Sequence, residues 1–324
     1  MKAVNKRDIS QSFFDDLKDG SLKPILELVR NDDTLCLELR GSNVVIYYRG
    51  GALYTIYEKQ EHVYDISFNE NYRTNKDIDK VSENKKQLSI NQSVDEVGNY
   101  KLIMDRYFSK HKKYEREFQQ LILRENNYSG AVTDATDYYI LDIEYAYNDD
   151  DINARYDMIA IMWPSESQDR QKQNDMPLTF IEVKYGDGAI SSDNGAAGIS
   201  KHIDDYVELR KKPEVIAEIA DDMARVFKKK HSLGLITSYE KKDLNITIDS
   251  DNVEFLFIFA NHDPNKSKIG TELKQSIDKY KDKDSKYLDE IKVARASEMG
   301  YGLFAYKDKK YCYPTIREYI KDNR

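Results

Sequence analysis

Two cysteines in 324 residues, Cys36 and Cys312, are too few for a disulfide framework, and neither sits in a Cys-x-x-Cys pair. That pattern excludes a disulfide-stapled secreted fold and fits a reducing, cytoplasmic compartment, in which the Asn-x-Ser/Thr triplets at Asn91, Asn127 and Asn245 are chance. No apolar run approaches the roughly 18 residues a membrane span needs. The charged start Met1-Lys2-Ala3-Val4-Asn5-Lys6-Arg7-Asp8 has no apolar stretch behind it, so no secretory signal is expected. There is one tryptophan against 25 tyrosines, and the tyrosines are spread too evenly to mark a site. Also absent are a His-Glu-x-x-His zinc motif, a Walker A loop, a Gly-x-Gly-x-x-Gly fingerprint after a strand, a Gly-x-Ser-x-Gly elbow and any internal repeat. The glycine-containing stretch 186–198 lacks the Gly-Lys-Ser/Thr ending of a phosphate-binding loop.

What is present is polar and slightly acidic. Charged residues make up 33% and hydrophobic ones 40%, enough for a sizeable core. Fifty Lys and Arg against 58 Asp and Glu give a net charge of −8, with a mean hydropathy of −0.75. A protein that coats nucleic acid draws its affinity from phosphate neutralisation and would be basic. A nuclease needs only acidic metal ligands and a local positive surface, so the balance leaves that class open.

Along the chain, Asp8 to Arg30 reads as helical, interrupted at Pro24. Residues 34–69 read as an antiparallel meander: 34–39, 44–48, 52–57 and 62–68 are strand-like, with turns at Gly41-Ser42-Asn43 and Gly50-Gly51. Residues 70–92 are the best linker, giving an N-terminal α+β domain over 1–92 and a second domain over 93–324. Ser93 is a candidate cap for one long helix to about Glu125, broken near Gly98. Its apolar stripe includes Tyr100, Met104, Tyr107, His111, Phe118 and Leu121. Strand-like runs follow at 138–147, 155–163 and 178–185. The segment 164–177 reads as an exposed hairpin tip. A helix from Ile199 is bent or divided at Pro213, and the strand 253–260 closes the core. Beyond 265 the chain is lysine-rich, with a helix near 270–281 and a further strand and helix.

Two strand segments carry charge where a core strand is apolar. In Phe180-Ile181-Glu182-Val183-Lys184-Tyr185, alternation sends Glu182 and Lys184 to one side, roughly 7 Å apart along the chain. Acid-x-Lys recurs elsewhere in this sequence, as at Glu83/Lys85 and Glu240/Lys242, in polar or helical settings. The apolar setting is what singles out 182–184, because buried charge is costly unless partnered or functional. In Tyr156-Asp157-Met158-Ile159-Ala160-Ile161-Met162, Asp157 lies in a similar setting. If the two strands pair as a hairpin, Asp157 and Glu182 meet on one face. Two carboxylates that close repel unless a divalent cation sits between them. Hard oxygen ligands suit Mg²⁺, with Mn²⁺ as substitute. Lys184 beside that metal can orient a water and stabilise charge developing on a phosphate.

The order helix, three strands, helix, strand over about 111–261, with Asp157 on the second strand and Glu182/Lys184 on the third, resembles the PD-(D/E)XK nuclease superfamily. The motif proline is replaced by Tyr156. The resemblance implies an α/β restriction-endonuclease-like core hydrolysing DNA with Mg²⁺, Asp157 and Glu182 binding metal and Lys184 positioning the water. Many members add a glutamate from the first helix. Tyr114-Glu115-Arg116-Glu117-Phe118 resembles the Glu-Arg-x-apolar pattern of the Holliday-junction-resolvase branch, which favours Glu115 as catalytic and metal residue, with Glu117 the alternative. Exonuclease-like members carry a Gln with a Tyr four residues on; here His202 and Tyr206 have that spacing and, with Lys201, are phosphate-contact candidates. Stand-alone enzymes of this sort often serve restriction, repair or defence against foreign DNA. The first domain would recognise substrate, dimerise or regulate, a homodimer being one arrangement open to the chain. Three readings remain: a DNA nuclease, an RNase or structure-specific resolvase on the same core, and a non-catalytic binding protein that keeps the fold. Asp142 and Glu144 are lesser candidates for added ligands, and Lys228-Lys229-Lys230-His231, at a helix end where cations are favoured anyway, for DNA contact.

Overall fold

The structure is a computed structural model, which describes residues 7–73, 87–128, 135–148, 153–191, 198–236, 246–262, 267–280, 283–296, 303 and 313–322. It is mixed α/β, with a four-stranded antiparallel sheet and a five-stranded mixed sheet. The chain divides into two compact units, one of Lys6–Arg124 and Arg225–Lys242, the other principally of Glu125–Ala224 and Asp243–Arg324.

The first unit opens with helices α1 (Gln11–Lys18) and α2 (Lys23–Arg30). Ser10 caps α1 by accepting the Phe13 amide hydrogen at 3.1 Å. The break falls at Asp19–Leu22, and Pro24 stands in the first turn of α2 instead of interrupting a helix. There its missing N–H leaves no intrahelical bond unmade. The meander then forms as read: β1 (Leu35–Leu39), β2 (Asn43–Tyr48), β3 (Gly51–Gln60) and β4 (Val63–Phe68), each antiparallel to the next. Most of the linker expected at 70–92 lies outside the described residues.

The single long helix expected over 93–125 is three: α3 (Ile90–Asp95), α4 (Val97–Lys110) and α5 (Tyr114–Asn127). Ser89, not Ser93, supplies the cap, in a reciprocal pair with Gln92. The break expected near Gly98 falls at Glu96, between α3 and α4, with Gly98 just inside α4; α4 stops where His111 leaves helical geometry at φ −115°, ψ 71°. The apolar stripe hid the break between α4 and α5, since Tyr100, Met104, Phe108, Phe118 and Ile122 are all buried.

The second unit holds β5 (Tyr138–Asn148), β6 (Asn153–Met162), helix α6 (Ser167–Arg170), β7 (Met176–Tyr185), α7 (Ile199–Arg210), α8 (Pro213–Ser232), β8 (Ile248–Ala260), α9 (Ile269–Ile277), β9 (Ile291–Ala296) and α10 (Ile316–Asp322). The last turns of α8, from Arg225, group with the first unit. Sheet order follows the chain from β5 to β9, antiparallel through β7 and parallel from β7 to β9. Pro213 divides two helices by starting the second, and β8 begins five residues earlier than the apolar run suggested. The segment 164–177 is exposed, as expected, at Glu166, Gln168, Gln171, Lys172, Asn174 and Asp175, but not throughout. Asp169 and Arg170 are buried, and the Arg170 guanidinium lies 4.6 Å over the lone tryptophan, Trp163. Counting apolar residues misses this stabilisation, because a cation supplies it. Among the described residues no helix is long and apolar enough to cross a membrane.

Candidate functional site

Strands β6 and β7 pair only from Ile161↔Leu178 to Met158↔Ile181. Beyond that point β6 continues along β5 to Asn148↔Asn153, and β7 continues along β8 to Tyr185↔Ala260. The ladder between them ends at the two positions the sequence singled out. There the Asp157 side chain takes over from the backbone, its Oδ2 accepting the Val183 amide hydrogen at 2.7 Å. Asp157 is half-buried. Its neighbour Tyr156 turns its ring onto Phe180, 4.6 Å between centroids, so simple alternation does not describe this end of β6.

Glu182 and Lys184 are each only 3% exposed. Ions so enclosed are tolerated only when paired with good geometry. Lys184 Nζ donates to Glu182 Oε1 at 2.7 Å, and His202 Nε2, from the second turn of α7, lies 2.9 Å from the same oxygen and 3.1 Å from Nζ. One ring nitrogen thus stands between an acceptor and a donor; it donates to Glu182 when protonated and accepts from Lys184 when not. His202 Nδ1 is buried without a partner. Burial acts to raise the Glu182 carboxyl pKa, but His202 and Lys184 outweigh it and hold the group below its ordinary range. The carboxylate is therefore ionised. All its bonds fall on Oε1.

The remaining expected residues are placed as follows. Glu115 lies in the first turn of α5, half-buried, in the part of that helix grouped with the first unit. Glu117 accepts from Arg49 Nη2 at 2.6 Å. Lys201 pairs with Asp205 one turn on. Tyr206 is fully buried, stacked on Phe255 at 5.1 Å, and its hydroxyl donates to Glu290 at 2.6 Å; burial and that carboxylate push its phenol well above the usual value. Asp142 is buried, and Glu144 sits at φ 51°, after a register shift between Ile140 and Asp142. The cluster 228–231 is not a basic surface patch: Lys229 pairs with Asp8 at 2.6 Å, and Lys230 is wholly buried with both Glu38 oxygens at 2.8 Å.

His262 belongs to none of the motifs. Its side chain is almost wholly enclosed at the end of β8, with Nε2 3.1 Å from the Lys184 carbonyl oxygen and Nδ1 3.1 Å from Asp187 Oδ1. No local spacing marks such a residue, 78 positions from the group it braces.

Among the described residues no three His, Cys, Asp or Glu side chains are grouped to hold a metal. Two carboxylates, Asp157 and Glu182, come from adjacent strands, and Glu182 keeps one oxygen unused by its two partners. Mg²⁺ is commonly held by one or two carboxylates, the rest of its shell being water and phosphate oxygen, and Asp157 and Glu182 are donors of that kind. Comparison with known families, curated proteins and solved structures finds no match for the chain.

Proposed function

We propose that the chain is a Mg²⁺-dependent nuclease with a restriction-endonuclease-like core, hydrolysing phosphodiester bonds in DNA. The observation that carries the reading is the end of the β6–β7 ladder. It falls where Asp157 binds the amide between Glu182 and Lys184, with those two residues paired beside it. The order of the second unit, three antiparallel strands, helices, then a strand parallel to the third, supports the same reading.

Asp157 and Glu182 would hold the metal, which when bound supplies Lewis acidity at a phosphate oxygen and a more acidic water. Lys184 has three N–H donors; one engages Glu182, and another can face a phosphate oxygen or the attacking water. Histidine 202 fixes the Glu182 carboxylate through Oε1. His262 holds the main chain of Lys184.

The near-complete burial of Glu182 and Lys184, each satisfied by the other and by His202, favours a second reading: a nuclease-like fold that binds nucleic acid without cutting it. Calorimetric titration of Mn²⁺ separates the two. The enzyme reading expects saturable binding in the wild type that disappears in Asp157→Ala. A wild type that takes up no Mn²⁺ yet binds DNA supports the second reading instead.

A further inference from the structure

The hairpin between β2 and β3 turns on two residues, Arg49 and Gly50, both left-handed at φ 51° and 71°. Such a turn favours Asn-Gly, Asp-Gly or Gly-Gly, and an arginine with positive φ is unusual. Gly50 is required here, since a Cβ would lie 2.2 Å from the Arg116 carbonyl oxygen. Arg49 is not required by the backbone, so its side chain explains its presence. The guanidinium donates to Asp105 at 2.8 Å and Glu117 at 2.6 Å and lies 5.6 Å over the Phe108 ring, fixed in one orientation.

That orientation forms one wall of a cavity of about 250 Å³ in the first unit. Its lining includes Asp33, Tyr48, Arg49, Glu117, Leu121 and Arg124. Gln120 closes the back and is itself fully used, accepting the Gly50 amide hydrogen and donating to the Thr34 carbonyl at 2.8 Å. Arg124 lines the space and pairs with Asp33 through Nη2 at 2.8 Å.

Two carboxylates and two guanidinium groups line the space, so its formal charge is balanced. A free anion gains nothing net from such a wall. A neutral planar ligand carrying donors on one edge and acceptors on another matches it, with Tyr48 and Leu121 for apolar contact. The volume lies below the ~300–1,000 Å³ that drug-sized ligands fill, which suits a single base. Among the bases, guanine sets two parallel N–H groups, N1 and N2, against a carboxylate, and offers O6 and N7 to an arginine fork.

We propose that this cavity binds a guanine base, with Glu117 and Asp33 accepting its N–H groups and Arg124 donating to its acceptor edge. The base is carried by a free nucleotide or by a nucleic-acid strand. The proposal does not depend on metal chemistry at β6 and β7; if the nuclease reading also holds, the cavity gives that enzyme base selectivity.

The test uses the full chain in EDTA, so no cleavage is required and failure here is separable from failure of the nuclease reading. Calorimetry compares GMP, AMP, CMP and UMP, and fluorescence anisotropy compares labelled oligothymidine strands with and without one central guanine. Guanine ligands are expected to bind at least about tenfold tighter than the others, and Arg124→Lys and Glu117→Gln each to reduce that preference about tenfold or more. Arg124→Lys keeps the charge and removes the planar guanidinium fork, so it retains the fold if Glu117→Gln does not. A response to GMP alone identifies a free nucleotide, and a stronger response to the guanine-containing strand identifies a base within a chain. Equal binding of all four nucleotides, no nucleotide or strand binding, or a preference unchanged in both variants overturns the proposal.

Discussion

Asp157 accepts the Val183 amide hydrogen at 2.7 Å, a side chain doing at one end of β6 what a backbone carbonyl does elsewhere in the sheet. Its carboxylate is thereby anchored to the main chain between Glu182 and Lys184. This predicts that Asp157→Ala loosens the end of β7 as well as removing a charge. Amide hydrogen exchange at Val183 is expected to quicken in Asp157→Ala while exchange at Thr179, inside the ladder, stays close to wild type.

Strand placement was legible because alternation and turn residues fix it locally: the meander and the three runs from 138 to 185 all fall where the sequence puts them. The helix division at Pro213 was legible, because a proline marks it, but the break at His111 was not, since Tyr107, His111 and Phe118 keep a helical rhythm across it. His202 was visible only as a helix-face residue four positions from Tyr206. That it reaches Glu182 while Tyr206 reaches Glu290 is decided by how α7 packs, and local spacing carries no record of it.

Lys230 and Glu38 form a wholly buried ion pair within the first unit, with the Cys36 thiol also donating to Glu38 at 3.3 Å. Removing Lys230 leaves the buried Glu38 carboxylate with only the more distant Arg40 guanidinium, 3.9 Å away. Lys230→Met is expected to cost about 3–5 kcal/mol by urea unfolding, and Lys230→Met combined with Glu38→Leu clearly less than the sum of the single changes.

Two glycines give opposite expectations. Gly50→Ala forces a Cβ into the Arg116 carbonyl at a left-handed position and is expected to destabilise by more than about 1 kcal/mol. Gly98, inside α4, has open space around a built Cβ, and Gly98→Ala is expected to stabilise by roughly 0.5–1 kcal/mol. Thermal melts of the two variants check both signs.

Asp16 and Glu254 set pH dependences of opposite sign. Burial opposes ionisation of Asp16, but hydrogen bonds from Tyr64 at 2.7 Å and His62 at 2.8 Å outweigh it and lower its pKa from 3.8. A lowered folded value means stability that is present above the unfolded pKa and lost as pH falls through the folded one. The acid limb of the melting curve is therefore expected to be shallower in Asp16→Asn than in wild type. For Glu254 burial dominates and raises the pKa above 4.5, despite bonds from Tyr138 at 2.7 Å and Thr179 at 3.0 Å. A raised folded value means stability present below the unfolded pKa and lost as pH rises through the folded one. Glu254→Gln is expected to gain on wild type as pH climbs towards neutral, with melting temperature against pH as the readout.

The most direct measurement is cleavage of linear, circular and branched DNA, with RNA alongside, in Mg²⁺ and in EDTA, by wild type, Asp157→Asn and Lys184→Ala. The account predicts Mg²⁺-dependent cutting of DNA by the wild type, abolished by EDTA, with either substitution slowing it about a hundredfold or more while the chain stays folded. Cleavage at the wild-type rate by Lys184→Ala, or a wild type that cuts none of these substrates with Mg²⁺ or Mn²⁺, contradicts it.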